Sequence, residues 1–188
     1  MLPLQPGGTG RFTAVREFLD QAGYGEQAVC KRLGLGALQE YLSQSEKYST
    51  NASAEVFDRL EFLLRVFLVG GSLRRDVLDA FVPTGARESM ELLGLLCVDP
   101  IHRELICSPV ALYPVNGLFI VSDRWKAPDG SPLPIANDYV FPGMHPLTHD
   151  FLELLPESPC DRFLDLLLGN GRRRANGIQT IRQAVVGR

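Results

Sequence analysis

Asp165 is the one acid in the largely apolar run Arg162–Leu168, and Gly169-Asn170-Gly171 follows directly. Glycine takes positive φ without steric cost and lets the backbone come close to a ligand, so such a turn can cradle a bound group. Taken alone, the same residues equally describe a core strand ended by a glycine turn with no ligand. His145 and His149 lie four apart, a spacing that can set two imidazoles on one helical face for a metal. Pro146 stands between them, and no third Cys or positioned acid is near. The solvated-loop reading is therefore preferred and no metal site is assigned. Cys30, Cys97, Cys107 and Cys160 show no CxxC or zinc spacing; they sit in apolar segments, where free cysteine packs as a small hydrophobe.

Two elements must position the Asp165 turn. Phe151, Leu152, Leu154 and Leu155 predict an amphipathic helix over about 148–155, stopped by Pro156. The run 162–168 predicts a strand buried on both faces, as in a parallel sheet covered by helices.

The order of these elements over 138–171 resembles the entry into the cofactor domain of class I S-adenosylmethionine-dependent methyltransferases. Their first motif is a strand ending in an acid, followed by glycines two, four and six positions on. Asp165, Gly169 and Gly171 match the acid and the second and third glycines, whereas Leu167 stands where the first glycine is usual. Pro146-Leu147-Thr148 is similar to the Pro-acid-Thr segment that precedes this motif in release-factor glutamine methyltransferases. The resemblance implies S-adenosylmethionine as cofactor of a full-length relative, with Asp165, Gly169, Gly171 and Thr148 as cofactor-binding residues and no catalytic residue in this chain.

The pattern then stops. The 17 residues after Gly171 hold five arginines and no acid, so the ribose-binding carboxylate expected about 20 residues past the turn has no candidate. The Asn-Pro-Pro-aromatic segment of these methyltransferases is also missing. The expectation is a recognition region joined to an incomplete Rossmann-like domain, inactive alone, with 172–188 a basic tail that reads as an out-of-frame or truncated end.

The chain has 188 residues, 45% of them hydrophobic and 22% charged, enough to bury a core. The net charge of −3 argues against general nucleic-acid affinity. No signal sequence opens the chain and no apolar run reaches the roughly 18 residues that span a membrane, so a cytoplasmic protein without membrane partners is expected.

Taken in order, 1–45 predicts a helical cap: one helix from about Phe12, ended by Gly23, a second over 26–33, ended by Gly34, and a third over 37–42. Tyr24 and Tyr41 are read as packing residues. Ser43–Ser53 is polar and reads as a linker. The unit 54–125 then predicts three helices, capped by Ser53, Ser72 and Thr84, with Phe57, Leu60, Leu64, Phe67, Leu78, Phe81, Leu93 and Ile120 in its core. Short strands follow over 95–98, 104–112 and 118–122, the last two joined at Asn116-Gly117. Three helices followed by a hairpin resemble a winged helix, so the fold class is α+β. The third helix sets Arg87 against Glu88 and Glu91, which suits phosphate contacts poorly. The expected function is the substrate-recognition part of a methyltransferase, for a protein or nucleic-acid methyl acceptor. The alternative is a stand-alone winged-helix binding module.

Overall fold

A computed structural model describes residues 4–5, 7–49, 56–127, 131–133, 140, 142–146, 150 and 154. Among them the chain is a mixture of helices and two small antiparallel sheets, as an α+β class requires.

Helix α1 (Thr9–Gln21) buries Val15, Phe18 and Leu19, which recur at helical spacing. Helix α2 (Glu26–Leu33) buries Val29 and Cys30 and closes at Gly34, whose φ of 68° needs no Cβ. The third predicted helix is shifted. Over 37–42 the amides of Glu40, Tyr41 and Leu42 bond to carbonyls three residues back, a run of tight turns, and α3 starts only at Glu40 (Glu40–Gln44). The expected linker is partly structured as well. Helix α4 (Glu46–Ser49) aims Tyr48 inward, where its hydroxyl donates to Leu33 O at 2.8 Å and its ring stacks on Tyr41.

Helix α5 (Arg59–Leu63) begins six residues after the predicted cap, Ser53, which lies outside the described residues. Asp58 is the cap: its Oδ1 accepts the Glu61 amide at 2.8 Å, leaving Phe57 ahead of the helix and 77% exposed rather than in the core. From Leu64 to Val69 the helix widens into a π segment. Ser72 does not cap a helix either. Its hydroxyl bonds to Asp99 across the sheet, Leu73–Arg74 form strand β1, and α6 (Arg75–Phe81) starts after them. Helix α7 (Thr84–Leu92) ends where its sequence signal stands, but Thr84 is its first helical residue rather than its cap: Pro83 takes the cap position, with no side-chain cap bond.

Strands β2 (Cys97–Val98) and β3 (Leu105–Cys107) complete an antiparallel sheet of order β1-β3-β2. The single strand expected over 104–112 is broken at Ser108-Pro109. Pro109 has no amide for a ladder, and Ser108 Oγ bonds locally to Val110 O at 2.8 Å. Strand β4 (Val110–Val115) therefore leaves that sheet and pairs with β5 (Leu118–Asp123) through the predicted Asn116-Gly117 turn, where both residues have positive φ. All six residues of β4 are buried.

One apolar cluster joins these parts: Phe18 and Leu19 of α1, Leu64 and Phe67 of the π segment, Leu78, Met90, Leu93 and Leu112. Leu60, Phe81 and Ile120, predicted as core, are half-buried against it. Helix α1 lies along α7, and the segment before α1 bonds to its end through Gln5 N to Leu93 O, 3.0 Å. Asp150 and Leu154 are helical, with Leu154 exposed; the predicted strand 162–168 and the tail lie outside the described residues.

Candidate functional site

The π segment creates the most unusual polar arrangement in the described chain. In an ordinary α-helix the Gly70 amide would bond to Val66 O, four residues back. Here the Gly70 and Gly71 amides both go to Arg65 O, at 2.9 and 2.8 Å. Val66 O is left to accept from Arg124 Nη2, and Arg124 Nε donates to Ser108 O at 2.8 Å. Gly70 has φ 87°, and a Cβ there would stand 2.5 Å from Arg124 Nη1, so only glycine fits. Among the described residues Arg124 has no carboxylate partner, and burial lowers its guanidinium to about 10. Tyr41 and Trp125 pack edge to face beside it, rings 6.3 Å apart. Arg124 clamps the π segment, the strand break at Ser108 and the end of β5 into one piece.

A groove of about 220 Å³ opens between α2, α4 and the α5–π helix. Its charged wall is internally matched: Arg32 meets Asp58 at 2.6 Å and Glu61 at 3.3 Å, and Glu61 meets Arg65 at 2.9 Å. The hydrogen bond from Arg32 holds the Asp58 carboxyl below its usual range and raises the Arg32 guanidinium in turn. Leu64, Val69 and Leu73 supply the apolar floor.

The face built by α6 and α7 is similarly matched. Arg74 pairs with Asp76 at 2.7 Å, Arg75 with Glu91 at 4.0 Å, and Arg87 with Asp79. Beside this face, the β2–β3 hairpin sets Cys97 opposite Cys107, sulfurs 3.7 Å apart. Asp99 organises its turn by accepting the Ile101 and His102 amides, both at 2.9 Å, which with Ser72 holds its carboxyl below the usual range.

Of the residues singled out from sequence, Asp165, Gly169, Gly171 and Thr148 all lie outside the described residues, as does His149. His145 is described and half-buried, with its amide bonded to Pro142 O. No group of three His, Cys, Asp or Glu side chains converges among the described residues. Tyr24 and Tyr41 are buried as packing residues. Arg124 was missed because Gly70-Gly71 reads as a plain helix stop. The cysteine pair is not legible in the sequence: a turn centred on Asp99-Pro100 would set Cys97 opposite His102, whereas the observed register, centred on His102, sets it opposite Cys107. Comparison with protein-family models, curated proteins and solved structures finds no match.

Proposed function

We propose that the chain is a recognition module built on a winged helix, that it serves a methyltransferase of the class resembled by 138–171, and that its acceptor is a protein rather than a nucleic acid. The observation that carries this reading is the element order over 59–107: helix, strand, helix, helix, strand, strand, with β3 between β1 and β2. This order supports the winged-helix reading, in which β2–β3 would take the place of the wing and α7 that of the recognition helix.

Charge favours protein over nucleic acid. Binding to a phosphate backbone needs cations available to displace counterions. Arg74, Arg75 and Arg87, the arginines of β1, α6 and α7, are each matched to an acid, and α1 packs along α7. The methyltransferase connection rests on the Asp165-Gly169-Gly171 pattern.

A paired titration tests both halves. With mixed-sequence duplex DNA and single-stranded RNA at low salt, we expect no binding by fluorescence anisotropy. Salt-sensitive micromolar binding would overturn the protein reading. With S-adenosylmethionine we expect no calorimetric isotherm, because Leu167 stands where the first glycine of the motif would let the cofactor approach the backbone. A one-to-one micromolar isotherm would make the chain a cofactor binder and displace the recognition-module reading.

A further inference from the structure

The β2–β3 hairpin holds a dithiol whose use the recognition reading does not explain. Cys97 and Cys107 are direct partners in the antiparallel register, and both are free thiols. Directly opposed residues on antiparallel strands have Cα atoms about 4.5–5.5 Å apart. A disulfide spans Cα separations of about 4.4–6.8 Å. The sulfurs, 3.7 Å apart, therefore need only side-chain rotation and a small strand adjustment to bond. Access is asymmetric: Cys97 is exposed and Cys107 half-buried. The remaining described cysteine, Cys30, is buried in α2 and does not compete. The turn is already ordered by Asp99, and Asp99 N bonds to Leu105 O at 2.9 Å, so the register that opposes the two thiols is held before any bond forms.

We propose that Cys97 and Cys107 form a thiol-oxidation site, closed to an intramolecular disulfide across the hairpin by exchange with a low-molecular-weight disulfide. Cys97, as thiolate, attacks one sulfur of the oxidant, forming a mixed disulfide and releasing the first thiolate. Cys107, as thiolate, then attacks Cys97 Sγ, the mixed S–S bond breaks, and the second thiolate leaves. The two protons lost by the cysteines pass through solvent to the two departing thiolates. The cysteines are oxidised by two electrons and the oxidant is reduced to two thiols. Cys97 is the exposed member of the pair, while burial, and next the neighbouring Cys97, push the Cys107 thiol up, so Cys97 is the entry point.

The test uses the full chain, reduced and then equilibrated with graded mixtures of oxidised and reduced glutathione, acid-quenched and read by mass spectrometry with thiol labelling. The parent protein should lose labelling at Cys97 and Cys107 together, gain a Cys97–Cys107 cross-linked peptide and retain no glutathione on either of the two. Cys107→Ser should instead accumulate one glutathione on Cys97, and Cys97→Ser should leave Cys107 labelled at the same poise. The proposal is overturned if the parent accumulates the same stable adduct as Cys107→Ser. It is equally overturned if the parent cross-links between chains, or if both thiols stay labelled where an unstructured dithiol peptide is oxidised.

Discussion

Around β4 and β5 two buried side chains donate to backbone carbonyls: Tyr24 to Leu112 O at 2.7 Å and Arg124 to Val66 O and Ser108 O. On α6 and α7 the charged side chains reach for one another at the surface, as Arg74–Asp76 and Arg75–Glu91 show. A buried donor has no water to fall back on, so losing its partner leaves a desolvated group unsatisfied. An exposed ion pair exchanges each lost contact for hydration. The first region should therefore set the stability of the molecule, and the second should tolerate change and remain available for a partner.

The sharpest way to break that contrast is in the core between them. Phe67, fully buried on the π segment, is packed where the cluster joins the hairpin to the helices. Phe67→Ala should cost about 3–5 kcal/mol, cavity included, in chemical denaturation. A loss below 1 kcal/mol would show that β4 does not rest on this helix.

Next comes Tyr24→Phe, which keeps the ring, stacked at 6.4 Å from Phe119, and removes only the donor to Leu112 O. We expect a loss of about 1–3 kcal/mol. Burial raises the Tyr24 phenol above its ordinary 10.0. Its contribution is thus fully present below pH 10 and is lost as pH rises through the folded value. Parent and variant should converge in stability on alkaline titration; a constant gap up to the unfolding limit would refute this.

The smallest effect is expected at the surface. Arg75→Gln should stay within about 0.5 kcal/mol of the parent, since its pair with Glu91 is long and exposed. A larger loss would mean that the α6–α7 face contributes to stability after all.

Local signals were legible where one residue type decides the geometry. Gly34 ends α2, which stands over 26–33 as periodicity placed it, and Asn116-Gly117 turns the second hairpin, although its first strand runs over 110–115 rather than 104–112. Legibility failed where tertiary contacts chose between equal local options. Ser72 has the chemistry of a helix cap, yet Asp99, 27 residues on, takes its hydroxyl. Phe57 fits the apolar stripe of the next helix, but Asp58 caps that helix, which starts at Arg59, two residues too late to include it. The clamp at Arg124 was invisible for a deeper reason: nothing in LRVFLV announces a π segment, and the acceptor it frees is a carbonyl, which sequence does not display. The candidate cofactor residues follow a different logic, since their reading rests on spacing within 138–171.

The wide turn at Leu64–Val69 amounts to slack stored in the helix. It withdraws the Gly70 amide from Val66 O, its acceptor in an ordinary α-helix, and leaves that carbonyl to a guanidinium 58 residues away along the chain. Whichever donor wins fixes the local phase of the helix, and with it the facing of the side chains over the next turn. The residue at the end of β5 thus acts as a ratchet pawl on a helix 58 residues before it: holding Arg124 in place keeps the helix from slipping one tooth.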